Sequence, residues 1–368
     1  MPIPVLDLSG PALSRGRQHG EQMAKSIHSN IQTYRNRFLL GGATRERISA
    51  EAEKWAERFR RHDPEYFEEM QGIAEGAGVA LSDIAMLNAR YELSYSLYTS
   101  EAAALNTIPS HEPEGCTSFG MQPEYTTSGE TLMGQNWDWL EGLLGNMCLL
   151  RVRSDEHPTY MVLTQAGIVC GMIGLNEEGI GLCVNGLSAH GDGEELHHRP
   201  FHMRVRDILR SRTLDSALKV IVSTDRVCST NWVVGQKGGE VLNLETSSRV
   251  VHTLYPQNGL VTHGNLFISK DGIVSDFERL APCSLYRSPR LERLIRQQGD
   301  KWDAEMAKTA LKDTFGGPKA ICRSASELEP EEARTVTIAS VILNLDQKSM
   351  EISDGPPDRN GYACHLLM

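Results

Sequence analysis

A cysteine stands between a glycine and a strand-like run at residue 116 of the 368-residue chain, in Glu114-Gly115-Cys116-Thr117-Ser118-Phe119. Before it, Ser100 to Glu114 holds Pro109, Ser110, His111, Glu112 and Pro113, a polar stretch that suits neither helix nor central strand and reads as an exposed linker. A thiol at such a junction can attack the carbonyl of the residue before it in an N-to-S acyl shift. Glycine at 115 favours that reaction by permitting strained or positive-φ backbone. Breaking the Gly115–Cys116 bond would free the α-amine of Cys116 beside its own thiol. With an ordinary pKa of about 8, that amine can be the general base that a thiol otherwise takes from a histidine. Taken alone, Cys116 is one of eight cysteines, and buried idle thiols are common.

The other reactive residue types give weaker patterns. Cysteines 116, 148, 170, 183, 228, 283, 322 and 364 form no CxxC pair and no regular framework, which suggests free thiols in a reducing, cytoplasmic setting. His197, His198 and His202 cluster around Pro200, without HExxH or paired cysteines, and read as a partly exposed loop cluster in preference to a metal site. Gly235-Gln236-Lys237-Gly238-Gly239 lacks a following helix and a GK[ST] ending, so it reads as a hairpin turn and not a phosphate cradle. No metal or organic cofactor is expected. A net charge of −11, with no basic stripe beyond Arg58, Arg60 and Arg61, argues against a nucleic-acid partner. Apolar runs such as Ile338 to Leu345 are too short for a membrane helix, and Met1 to Leu8 has no basic region or long apolar region of a secretory signal.

Two kinds of periodicity must position these residues. Apolar spacing of three and four predicts helices over 16–38, 45–61, 64–77 and 81–91, with Ser82-Asp83 as a helix start and Pro64 in a first turn. From Cys116 onward short strands are expected over 116–121, 131–137, 148–153, 159–164, 169–175 and 180–185, punctuated by Ser128-Gly129-Glu130 and Asn176-Glu177-Glu178-Gly179. A helical pair at 200–210 and 214–223, strands over 231–251, helices at 288–298 and 303–313, and strands near Thr335 and Met350 complete the pattern. This order predicts an α+β layered fold.

Four stretches resemble the isopenicillin N acyltransferase family (acyl-coenzyme A:6-aminopenicillanate acyltransferases). Its relatives include carcinine and β-alanyl-dopamine hydrolases and, more remotely, bile-salt hydrolases and penicillin V acylases. The stretches are Gly16-Arg17-Gln18-His19-Gly20, Met70 to Asn88 with Gly72-Ile73-Ala74-Glu75-Gly76-Ala77, Gly115-Cys116-Thr117, and Gly134-Gln135-Asn136-Trp137-Asp138-Trp139. The resemblance implies a four-layer αββα sandwich of the N-terminal-nucleophile hydrolase type, autocleavage between Gly115 and Cys116, and Cys116 as nucleophile. It further implies Asp138 as catalytic carboxylate, Asn265 and Asn185 as oxyanion donors, and Arg323, in Ile321-Cys322-Arg323, as a cation that lowers the thiol pKa. Trp137, Trp139 and Ser229 become candidates for the substrate pocket. The chain departs from the family pattern at Leu266, where a second histidine is usual, and at Ala320, where serine is usual.

From the residues alone, Asp138 could equally be a turn carboxylate, Asn185-Gly186 a hairpin turn, Asn265 a surface-turn residue and Arg323 half of a surface ion pair. With the resemblance, the expectation is a helical fragment 1–115 and a catalytic fragment 116–368 that stay together as one compact unit. The enzyme would be a cysteine amidohydrolase cleaving a small N-acyl amide through a Cys116 thioester. An N-acyltransferase passing the acyl group to an amine is the alternative, and a non-catalytic homologue used for binding is a further one. Its partners would be the small amide or amine and its own cleaved fragment, with assembly into a homo-oligomer left open.

Overall fold

The structure is a computed structural model. It describes residues 3–105 and 115–367, except 224 and 276, with side chains left out at 98–105, 279 and 280.

Five helices open the chain after a short strand β1 (Val5–Leu8): α1 (Ala12–Leu40), α2 (Arg45–His62), α3 (Pro64–Ala77), α4 (Leu81–Asn88) and α5 (Arg90–Leu105). Capping chemistry sets the boundaries of α2 and α3. The Thr44 side chain accepts from Arg47 N, Asp63 accepts from Tyr66 N with Pro64 in the first turn of α3, and Gly78 ends α3 in the left-handed region at φ 67°. Helices α1 and α3 cross through facing glycines. A Cβ at Gly16 would lie 2.1 Å from Glu69 O, and one at Gly72 would lie 2.2 Å from Leu13 O. The Gly16, Gly20, Gly72 and Gly76 spacing is therefore a packing device, with backbone against backbone.

The remainder is strand-rich. Strands β2 (Gly115–Met121), β3 (Leu132–Leu140), β4 (Met147–Val152), β5 (Tyr160–Gln165), β6 (Ile173–Asn176) and β7 (Ile180–Gly186) precede α6 (Phe201–Leu209) and α7 (Leu214–Ser223). Next come β8 (Thr230–Gln236), β9 (Val241–Thr246), β10 (Val251–Leu254) and β11 (Leu260–His263). Helices α8 (Phe277–Leu280), α9 (Ser284–Arg296) and α10 (Ala304–Leu311) lead to β12 (Thr335–Asn344), β13 (Ser349–Asp354) and β14 (Tyr362–Leu366). One sheet runs β1-β4-β5-β6-β7-β8-β9-β10 and the other β11-β2-β3-β12-β13-β14. Apart from the parallel β1–β4 pair, all ladders are antiparallel.

The sheets stack face to face. Gln135 of β3 donates to Val184 O and accepts from Val184 N of β7, and Ser118 of β2 donates to Asn185. Helix α1 covers the eight-stranded sheet, where Asn30 donates to Ala166 O. Leu291, Ile295, Ala307 and Leu311 of α9 and α10 pack with Phe119, Leu132 and Ile342 on the outer face of the six-stranded sheet. The order helix, sheet, sheet, helix is the expected αββα sandwich.

Several expected boundaries shift. Helix α5 continues to Leu105, so the first part of the expected linker is helical, and 106–114 lie outside the described residues. The strand expected over 169–175 shrinks to β6, because the 167–169 backbone is bound by side chains: His19 accepts from Gly167 N, and Asn88 donates to Gly167 O and accepts from Val169 N. Helix α9 starts at Ser284, ahead of the expected 288, and carries Pro289 within it. The short strands β1, β11 and β14 have too few residues for a legible alternation.

Candidate functional site

Strand β2 lies between β11 and β3, and its first two residues set the geometry. Gly115 faces Asp138 in the ladder, and Cys116 faces Trp137. Opposite residues of an antiparallel pair share a face, so the alternation separates two environments. Cys116, Ser118, Gln135 and Trp137 point between the sheets, whereas Gly115, Thr117, Asn136 and Asp138 point toward α9 and α10. Asn136 shows this by donating to Leu311 O and Ile321 O. Cys116 is buried, as are Trp137 and Asp138.

Both backbone groups of Cys116 are held from one side. Its N–H donates to Asn265 Oδ1 at 2.8 Å, and its carbonyl accepts from Arg287 Nη1 at 2.6 Å. Arg287 also donates to Thr117 Oγ1 and, through Nη2, to Asn265 Oδ1 and Ser284 Oγ, each at 2.7 Å. Asn265 Nδ2 donates to Gly186 O at 3.0 Å. Asn265 is fully buried two residues beyond β11, so the surface-turn alternative is excluded. Behind it, His263 Nε2 lies 2.8 Å from Glu245 Oε1, and Glu245 also accepts from Ser269 N at 3.0 Å.

Asp138 belongs to β3 and to no turn. Its Oδ1 accepts from Thr337 Oγ1 at 2.6 Å, and its Oδ2 faces Arg323 Nε at 3.6 Å. Burial pushes its carboxyl up to about 6, against the opposing pull of the Arg323 and Arg287 guanidiniums and the Thr337 hydroxyl. Arg323 is 2% exposed, which rules out the surface ion pair. It donates to Thr335 Oγ1 at 2.9 Å and lies 3.6 Å from Cys283 Sγ. A Cβ at Gly115 would be 2.5 Å from Arg323 Nη2, so this guanidinium sits over Gly115, on the face that Cys116 turns away from.

Asn185 forms no hairpin turn. It is in β7 opposite Asn231, where its Oδ1 accepts from Ser118 Oγ at 2.7 Å and Asn231 Nδ2 at 3.0 Å, leaving its buried Nδ2 without a partner among the described residues. Of the pocket candidates, Trp137 and Trp139 share the Cys116 face of β3, where Trp139 donates from Nε1 to Tyr34 Oη at 2.8 Å, whereas Ser229 donates to Asp192 at 2.8 Å in a different buried group. The histidine cluster also divides. Glu195, His197 and His198 bring ligand atoms within 4.8 Å of one another near the surface, whereas His202 is buried on α6 facing Gly171 O.

Sequence reasoning passed over Arg287, Thr337, Ser284 and the His263–Glu245 pair. Arg287 sits in a helix of ordinary basic composition, Ser284-Leu285-Tyr286-Arg287, and nothing in that string separates an inward guanidinium from a solvated one. Thr337 likewise carries no local signal, because its place opposite Asp138 depends on the pairing of β12 with β3.

A sequence profile of the acyl-coenzyme A:6-aminopenicillanic acid acyl-transferase family matches residues 125–359. The chain is 27% identical over 296 residues to the acyl-coenzyme A:6-aminopenicillanic-acid-acyltransferase 40 kDa form of Emericella nidulans, covering 80% of this chain and 76% of that protein. Among solved structures, an N-acylethanolamine-hydrolyzing acid amidase ortholog from Caenorhabditis elegans is similar at 16% identity and TM-score 0.47, over 63% of this chain and 93% of that one. A conjugated bile acid hydrolase variant from Clostridium perfringens is similar at 11% identity and TM-score 0.43, over 67% and 96%. With a family match spanning well over half its length, the chain belongs to the acyl-coenzyme A:6-aminopenicillanic acid acyl-transferase family.

Proposed function

We propose that this chain is a self-processing cysteine amidohydrolase that cleaves small N-acyl amides through a thioester on Cys116. The observation that carries the reading is the double anchoring of Cys116, through its N–H on Asn265 and its carbonyl on Arg287, near the start of β2, where the residue before it, Gly115, faces Asp138.

In processing, Cys116 Sγ attacks the Gly115 carbonyl carbon and gives up its proton to a base. The C–N bond then breaks, the nitrogen takes a proton, and Gly115 is left as a thioester on Sγ. Water hydrolyses that thioester, leaving a Gly115 carboxylate and a free Cys116 amine and thiol. In turnover the amine takes the thiol proton, the thiolate attacks the substrate amide, and the ammonium returns a proton to the leaving amine. Asp138 would hold the new amine by a charge-assisted hydrogen bond. Asn185 has an unspent N–H on the face shared with Cys116, and with Asn265 it would serve the tetrahedral oxyanion. Arg323 would set the Asp138 carboxylate's position across 3.6 Å.

The name of the Emericella relative supports a second reading, transfer of the acyl group to an amine in place of water. Acid and amide products measured with and without an added amine acceptor decide between the two. Processing itself is tested by intact mass and N-terminal sequencing. Wild type should give pieces of roughly 13 and 28 kDa, scaled from 115 and 253 of 368 residues, and Cys116→Ala should stay whole. A wild type that remains one chain while hydrolysing amides at full rate overturns the self-processing mechanism, and one that does neither favours a non-catalytic binding homologue.

A further inference from the structure

Arg287 is fully buried, and its four acceptors are Cys116 O, Thr117 Oγ1, Asn265 Oδ1 and Ser284 Oγ, all uncharged. Among the described residues no carboxylate lies within ion-pair distance of it. A buried charge with no carboxylate in contact, and only Asp138 attracting it from further away, is costly to fold around and is retained where something else makes use of it. We propose that Arg287 is a positioning residue that fixes the Asn265 amide toward the Cys116 nitrogen and supplies the positive charge that lowers the first ionisation of the Cys116 thiol and amine pair.

Three features support this. The Arg287 fork grips Cys116 at both ends, directly at its carbonyl and through Asn265 at its nitrogen. It commits Asn265 Oδ1 as an acceptor toward that nitrogen, while Nδ2 is turned to Gly186 O. The neighbouring polar groups have partners of their own. Asp138, which also feels Arg287, faces Arg323 at 3.6 Å and is acted on by Lys319, and His263 Nε2 meets Glu245 Oε1 at 2.8 Å at the end of β11. Cys283 lies beside Arg323, and Arg90 stands over the Trp137 ring at 5.9 Å. A guanidinium close to the pair disfavours the ammonium and favours the thiolate, so it draws down the first proton loss whichever group gives it up.

This rests on the proposed chemistry at Cys116, and the two can fail separately. Intact mass establishes whether the Cys116 amine exists. If wild type is not processed, both readings fall. On processed enzyme, kcat/KM is followed against pH for wild type, Arg287→Lys and Arg287→Met. The acid limb should move up by about one unit in Arg287→Met. In Arg287→Lys it should stay near the wild-type position while kcat/KM drops, since an ammonium keeps the charge but loses the fork. A limb that stays in place in Arg287→Met, with only stability or rate reduced, overturns the proposal. Should Arg287→Met fail to fold, the α-amine of processed wild type can be titrated by the pH dependence of its reductive methylation. A midpoint clearly below the ordinary value of about 8 is expected, and one at or above it overturns the proposal.

Discussion

Gly115 and Arg323 occupy adjoining space: the position a side chain would take at residue 115 is filled by the guanidinium, with 2.5 Å to Nη2 and 2.6 Å to Cζ. That guanidinium is held by Thr335 and faces Asp138. Gly115→Ala therefore either displaces Arg323 or shifts the start of β2. A destabilisation of roughly 1–3 kcal/mol is expected, together with slowed appearance of the two fragments. Adding Arg323→Ser should recover the melting temperature of Gly115→Ala. If the double variant melts lower than the single one, the steric account is wrong.

Asp138→Asn tests a charge in a dry site. The folded carboxyl titrates near 6, above its unfolded value of 3.8, so the stability favoured by the protonated form is complete below about pH 4 and is lost as pH rises through 6. The melting temperature of Asp138→Asn relative to wild type should therefore climb between pH 4 and 7. Amide turnover at pH 7 should fall by on the order of a hundredfold or more. A pH-independent melting difference would contradict the raised carboxyl, and an unchanged rate would remove Asp138 from the chemistry.

Asn185 has one committed acceptor and one unspent donor. Asn185→Ala should reduce kcat on the order of 10²-fold or more while KM moves little, as for other single oxyanion donors. A loss below tenfold in a variant with an unchanged melt assigns Asn185 to packing alone.

The α1–α3 crossing leaves no room to adjust. Gly72→Ala would place Cβ 2.2 Å from Leu13 O, a backbone atom on a long helix, so soluble yield should collapse or stability should drop by more than about 3 kcal/mol. Gly239→Ala is the control. Its Cβ would meet nothing within 4 Å, and its melt should stay within about 0.5 kcal/mol of wild type. Comparable melts for the two variants would contradict the crossing.

What could be read from the sequence divides along physical lines. The layered α+β order was legible because helix and strand periods differ, and each long element carries several repeats of its own. The site was legible as motifs, since Gly115-Cys116 and Asn136-Trp137-Asp138 lie on adjacent strands. Which side of the sheet each residue faces was not legible, because it depends on register. That is why nothing in the string Ile321-Cys322-Arg323 shows that the guanidinium stands over Gly115. Arg287 needed the docking of α9 against β11 and β2, a long-range contact with no local signature.

Strand β1 belongs to the first part of the chain yet completes the edge of a sheet whose other strands all come from residues beyond 146, pairing Val5–Leu8 with Leu149–Val152. Arg151 reinforces the seam by donating to Asp7 at 2.8 Å. A cut at Gly115 would therefore leave two pieces that are complementary halves of one object, neither able to close its layers alone. Cys116 takes its backbone partners from Asn265 and Arg287, far along the chain, so the proposed cut would follow the docking of those elements. Cleavage would then record that folding had finished, and the amount of long fragment in a preparation would count the molecules that had passed inspection.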